Sequence, residues 1–239
     1  MKKYLLAAVF WRLALAPALA QPTTTPQVRP VAAFHAISVG SGIELQLTAG
    51  ATQRVEASAV TTDVRDHLLT TVVGGVLQIH YDNPDELGQH SRVNRQLRVA
   101  VTADHLTALT AGSGAVVAAT GNFAAADLQL DVSSGASLKA SDLAPGVLVV
   151  RQSSGSSVAL SGRAPRFDLR AGSGATFNGE NLQTDRSQVE ASSGSSVRLA
   201  VKDDLLAEAA SGASIRYIGS PEVTKHVGSG GSVAEAKRK

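Results

Sequence analysis

Along the second half of the chain, apolar and polar residues alternate with a period of two, and the alternating blocks recur about every twenty residues. The repeat is marked by a Ser-Gly pair followed by a small residue, a polar one and a large apolar one. Its glycines are Gly114, Gly135, Gly155, Gly174, Gly194, Gly212 and Gly230, separated by 21, 20, 19, 20, 18 and 18 residues. Counted from that glycine, position plus three holds Val117, Leu138, Val158, Phe177, Val197, Ile215 and Val233, apolar in every unit. Position plus two holds Val116, Ser137, Ser157, Thr176, Ser196, Ser214 and Ser232, so the opposite face is mostly hydroxyl. Before the glycine, minus five is apolar in Leu109, Leu130, Val150, Leu169 and Val189. Minus three is apolar in Ala111, Val132, Ala171, Ala191 and Ala209, with Gln152 as the exception. Between them, minus four is an outward column of Thr110, Asp131, Arg151, Arg170, Glu190, Glu208 and His226. Alternation of this kind predicts half-buried strands.

A unit with one apolar face cannot bury it alone. If each unit makes one turn of a coil, equivalent residues stack about 4.8 Å apart and the apolar columns merge into a continuous interior. Seven such turns would rise roughly 34 Å. Helical repeats are mostly longer, and Ser, Gly, Val and Thr are poor helix formers. The expected fold class is therefore all-β: a parallel β-solenoid with coils of about twenty residues. Glycine lets the backbone bend at each corner, and the small residue after it leaves room in a narrow interior. Serine at minus one is expected to stack into a hydroxyl ladder that also satisfies turn backbone groups. In the minus-four column Asp131 over Arg151 and Arg170 over Glu190 are favourable neighbours, while Arg151 over Arg170 and Glu190 over Glu208 are not, which reads as a solvated face.

The domain organisation expected is a leader over 1–20, a Pro- and Thr-rich extended linker over 21–33, and a single solenoid domain over 34–239, with regular coils about 102–233. From Phe34 to Val101 the period is lost but strands persist in "IELQL", "RVEASAV", "TTVVGGVLQIHY" and "RQLRVAV", with a hairpin turn at Gly74-Gly75. Asp82 to Asn94 reads as a polar loop. This half is expected to supply one or two irregular opening coils and a β cap, because a solenoid end exposes apolar cross-section and unpaired edges.

Lys2 and Lys3, the apolar stretch from Tyr4 and the Ala18-Leu19-Ala20 pattern read as a cleavable export signal, although Arg12 interrupts the stretch. Its removal would take the formal charge from +2 to −1, so the basic balance belongs to the leader. No later segment is long and apolar enough to span a bilayer as a helix. The chain has no cysteine, which excludes disulfides, thiolate metal sites and a lipid-modified cysteine. Lys237, Arg238 and Lys239 form a short basic terminus, and nothing points to nucleic acid.

The repeated "GSG", "SSG" and "SGS" turns, the opening "FHAISVGSGIELQL", and "LLTTVVGGVLQIHY", "LTALTAGSG" and "IRYIGSPEVTKHVGSGGSV" resemble the head GIN domain family of auto-transporter adhesins. The resemblance runs from about Phe34 to Val233. It implies an exported bacterial protein with a right-handed parallel β-helix, and it brings no catalytic motif. A membrane barrel of the auto-transporter kind is not expected here, since only nine residues follow Gly230.

Parallel β-helices also host polysaccharide lyases and hydrolases, which need carboxylates converging on one groove. Asp127, Asp131, Asp142 and Asp168 are the acids to consider, and Asp131 and Asp168 fall on different columns in coils two apart. No calcium-binding nonapeptide occurs, and His35, His67, His80, His90, His105 and His226 lack metal-ligand spacing. No catalytic residue, metal or cofactor is expected. The candidate interaction face is the hydroxyl column Ser137, Ser157, Thr176, Ser196, Ser214 and Ser232, which could hydrogen-bond repeating sugar hydroxyls or a partner surface. The expected function is an exported, noncatalytic interaction module of adhesin type, periplasmic, at the cell surface or extracellular, with glycans or surface proteins as partners. A carbohydrate-active β-helix enzyme and a purely structural envelope protein are the alternatives.

Overall fold

The computed structural model describes residues 24–82, 95–123 and 125–236. The leader and the basic terminus therefore lie outside the described residues, as does nearly all of the polar stretch from Asp82 to Asn94. The described chain begins with β1 (Gln27–Val28), β2 (Ala36–Val39), β3 (Glu44–Ala49), β4 (Arg54–Ser58), the short helix α1 (Thr62–Asp66), β5 (Leu68–Val73), β6 (Val76–Tyr81) and β7 (Arg98–Ala103). The repeat follows, with strands on either side of each Ser-Gly corner. These are β8 (Ala108–Ala111), β9 (Val116–Thr120), β10 (Asp127–Val132), β11 (Ser137–Leu143), β12 (Val147–Gln152), β13 (Ser157–Arg163), β14 (Arg166–Ala171), β15 (Thr176–Ala191), β16 (Ser196–Ala209), β17 (Ser214–Ile218), β18 (Glu222–Val227) and β19 (Ser232–Glu235).

Strands preceding a corner pair in parallel with their equivalents one coil away, and so do strands following it, giving a leading and a trailing ladder. The register is that of the aligned glycines: Leu130 lies beside Leu109 and Val150, and Leu138 beside Val117 and Val158. The result is a stacked-coil β-solenoid of about six turns. The inward columns are buried as the alternation requires, from Val117, Leu138, Val158, Phe177, Val197 and Ile215 after the corners to Leu109, Leu130, Leu169 and Val189 before them. Phe167 and Phe177 stack inside, ring centroids 5.4 Å apart. Removing either ring should cost about 3–5 kcal/mol. Gln152, the polar exception, is buried and donates from Nε2 to the Thr176 carbonyl at 3.1 Å.

The corners show what the Ser-Gly pair does. At the repeat's last corner only Gly230 is left-handed, whereas at the other six, and at Ser41-Gly42 before them, Ser and Gly sit consecutively in the left-handed region, near φ +47 to +57 and +67 to +76 respectively. This is the mirror-image turn that a tight link between twisted strands favours. The N–H at plus one donates to the carbonyl at minus two, as from Ala136 to Ser133 at 3.0 Å. A Cβ built on Gly135, Gly155 or Gly174 meets nothing within 4 Å, so glycine is required by its φ and not by lack of space. The expected serine hydroxyl ladder is not what joins the turns. The corner glycines from Gly114 to Gly212 instead donate their N–H to the serine carbonyl of the next coil, as from Gly135 to Ser154 and Gly155 to Ser173, both at 3.0 Å. Backbone has priority here because an unpaired N–H at a packed corner would be costly, whereas an exposed hydroxyl can turn to water.

The residues before the repeat pack out of chain order. The corner at Ser41 and Gly42 belongs to a regular coil of β2 and β3, which stacks directly on β8 and β9 although equivalent residues are 72 apart in sequence, with Ala36 beside Ala108 and Glu44 beside Val116. On its other side lie β6 and β7, also parallel. The Gly74-Gly75 hairpin forms as expected, with Val73 opposite Val76. Antiparallel β5 covers β6, β4 covers β7, and β1 covers β4. The described part of the Pro- and Thr-rich stretch, from Thr24 on, is thus docked along this cap, where Thr24 Oγ1 donates to the Ala59 carbonyl at 3.1 Å. α1 starts at the Thr61 cap, whose side chain accepts from the Val64 N–H, and carries Asp63 in its first turn.

Candidate interaction surface

The trailing ladder brings the expected hydroxyl column together. Ser137, Ser157, Thr176, Ser196, Ser214 and Ser232 are successive Cα partners across six coils. Their side chains point away from the core because plus one and plus three point into it: Ala136, Ser156, Ala175, Ser195 and Ala213 are buried, as are the large residues beside them. Five of the six hydroxyl residues are exposed and Ser214 is half-buried. The column ends on Val116, half exposed, which lies next to Glu44. What results is an open, nearly flat strip of hydroxyls at coil spacing, about 4.8 Å apart.

The leading ladder carries a second surface that the alternation alone did not reveal. A groove of about 970 Å³ runs along the corners, its wall formed by the minus-four column from Thr110 to His226 and its floor by minus three and minus two. Its depth comes from the minus-two residues Ser133, Ser153, Gly172, Ser192, Ala210 and Gly228, all too small to fill it. That run of small residues was visible in the sequence as a column. The solvated minus-four face is more ordered than like-charge neighbours suggested: Arg151 lies 3.7 Å from Asp131, Arg170 3.2 Å from Glu190, and His226 3.8 Å from Glu208. Such exposed pairs are each worth under about 1 kcal/mol.

The acids weighed for catalysis are not gathered. Asp131 pairs with Arg151 and accepts from Gln129 Nε2 at 2.6 Å, while Asp168 lies beside Val149 and Gln188 on another column. Asp127 sits opposite Val147, and Asp142, in the left-handed region, interrupts the β11 register. Glu190 and Glu208 are Cα partners inside the groove; Glu190, half-buried, pairs with Arg170, while Glu208 is exposed and lies 3.8 Å from the His226 ring. A general acid at neutral pH needs burial to keep its proton. Among the described residues no three His, Cys, Asp or Glu side chains converge as a metal site would need, and no helix is long and apolar enough to cross a membrane.

The architecture has solved relatives. The chain is similar to a protein of Bacteroides fragilis described as a putative adhesin, with TM-score 0.78 and 15% identity over 90% of this chain and 97% of that one. It is also similar to two proteins of Parabacteroides distasonis. One is described as a putative lipid binding protein (TM-score 0.66, 14% identity, 90% and 98% covered), the other as a putative adhesin (TM-score 0.66, 18% identity, 90% and 97% covered). At these identities the shared property is the fold. A search of curated proteins returns no match. Residues 33–221 match the family described as "Putative auto-transporter adhesin, head GIN domain", and with the corner repeat, the coil stacking and this match over most of its length, the chain belongs to the head GIN domain family.

Proposed function

We propose that the protein is an exported, noncatalytic β-solenoid of the cell envelope or extracellular space that works as an adhesin-type interaction module, engaging a glycan or surface protein through its trailing face. The observation that carries this reading is the in-register run of six hydroxyl residues on an exposed sheet face. A flat array suits repeated weak contacts, whose strength comes from their number and from many copies acting together. The adhesin description of the family and of two structural neighbours agrees with it, and the leader-like first twenty residues agree with export. The enzyme alternative would use the groove, where the carboxylates are dispersed or, at Asp131 and Glu190, tied to arginines.

The test is binding of the purified protein, presented multivalently, to an array of glycans and matrix proteins, beside S157Q/T176Q/S196Q, which lengthens three neighbouring side chains without adding charge. Selective binding that the variant loses is the expected result. Absence of binding by folded protein, or binding indifferent to the variant, refutes the assignment of this face.

A further inference from the structure

Most arginines paired across the coils lie against acids: Arg151 against Asp131, Arg170 against Glu190 and Arg186 against Asp204 on the leading ladder, and Arg98 against Glu44, beside Val116, at the cap end of the trailing one. On the trailing face the register sets a second outward column beside the hydroxyls, at plus four: Ala118, Lys139, Ala159, Asn178, Arg198, Arg216 and Ala234. Lys139, Arg198 and Arg216 are exposed. Among the described residues none of the three forms an ion pair or a side-chain hydrogen bond. Neither column carries a carboxylate from Val116 to Ala234. Of the acids nearest in sequence, Asp142 to Lys139, Asp203 to Arg198 and Glu222 to Arg216, none pairs with these cations, and Asp203 lies 3.4 Å from Lys202.

Arg198 and Arg216 are direct Cα partners on adjacent coils. Like charges opposite one another weaken a sheet, and the remedy of an acid on the neighbouring strand is used elsewhere in this same molecule, by Arg170 with Glu190 and Arg98 with Glu44. Their placement makes sense when the missing anion comes from outside. We infer that the trailing face is a docking surface for an anionic polysaccharide, an inference that rests on the interaction role proposed above and names its partner.

Each part of the face contributes to that recognition. The guanidinium groups of Arg198 and Arg216 present planar donor forks suited to carboxylate or sulfate. Thr176, Ser196, Ser214 and the Asn178 amide, on the same and neighbouring coils, can donate to ring and hydroxyl oxygens. Coil spacing of about 4.8 Å is close to the advance of one sugar along an extended polysaccharide, so a chain lying along the solenoid axis meets equivalent groups repeatedly. Neither column has an aromatic side chain on which a neutral sugar could stack. Charge therefore supplies the affinity and hydroxyls the fit.

The experiment titrates the purified protein with polygalacturonate at low and physiological salt, beside neutral dextran, an acidic protein and phosphatidylglycerol vesicles. Polygalacturonate should bind and dextran should not, with affinity falling as salt rises. R198A/R216A should weaken binding about tenfold, and R198K/R216K should retain most of it. Both pairs are surface changes, so unchanged circular dichroism and melting establish that each variant is folded. Equal binding of dextran, polygalacturonate binding that survives R198A/R216A, or preference for the acidic protein or the vesicles overturns the inference. Binding of a neutral glycan or matrix protein that S157Q/T176Q/S196Q abolishes and R198A/R216A leaves intact overturns the anionic partner alone. Absence of all binding removes the interaction reading as well.

Discussion

At one end of the solenoid the outer edges of β6 and β7 are each paired by an antiparallel strand, β5 and β4, and β4 is itself covered by β1. At the other end β18 and β19 are the last described strands of their ladders, and most of their residues are exposed. The first end buries Val55, Ala57, Ala59 and Leu68 under added chain. The last coil does something else. Lys225 stands in the inward column that Leu109, Leu130, Val150, Leu169, Val189 and Ala207 fill below it, and Glu235 stands beyond Leu199 and Tyr217 in the matching column of the trailing ladder. Charges pointing inward on an edge strand discourage another sheet from adding to it. Among the described residues one end is thus covered by added chain, and the other carries exposed charges at its last inward register positions.

That contrast can be broken most severely at Leu68 and Val227. Leu68 is fully buried in the cap and Val227 is 52% exposed on the edge. Leu68→Asp should cost about 4 kcal/mol or more by burying an unpaired charge, and Val227→Asp no more than about 0.5 kcal/mol, as urea denaturation would measure. Similar losses at both sites would contradict the account.

A glycine inside the stack should matter more than one at the last described corner. A Cβ on Gly162, at φ +123, would meet the Leu143 carbonyl oxygen at 2.2 Å, whereas one on Gly230 has its nearest neighbour at 3.5 Å. Gly162→Ala should therefore cost about 3 kcal/mol and Gly230→Ala about 1 kcal/mol, read from the same denaturation curves.

Replacing the inward charges sharpens the comparison from the other side. K225L/E235L should keep the monomer's stability within about 1 kcal/mol yet produce concentration-dependent association, measured by light scattering after gel filtration. A variant that behaves like the parent would show that charge does not guard this end. The smallest effect belongs to the groove: Arg170→Ala removes an exposed ion pair and should shift stability by about 0.5 kcal/mol or less.

Much of this was legible in the chain because a solenoid writes the same environment at a fixed spacing. The plus-two, plus-three, minus-four and minus-five columns could be read as outward or inward before any coordinate was known, and Gly74-Gly75 announced its hairpin. What escaped was whatever the constant period does not encode. The coil of β2 and β3 has the same Ser-Gly corner, but Gly42 and Gly114 are 72 residues apart, a distance set by the inserted cap. Lys225 and Glu235 look like ordinary surface charges until the inward columns are followed to their last coil. The serine at minus one suggested a hydroxyl ladder, where the backbone itself makes the contact. The cations at plus four were overlooked because they share their column with Ala118, Ala159 and Asn178, and only the register sets Arg198 against Arg216 without an acid between them.

The central claim is that the trailing face, and not the groove, is the working surface. It is tested most directly by following backbone amide NMR signals during titration with polygalacturonate. The account predicts that the largest shifts cluster on Ser157, Thr176, Asn178, Ser196, Arg198, Ser214 and Arg216. Shifts concentrated instead on Arg151, Arg170, Glu190 and Glu208 would place binding in the groove and contradict it.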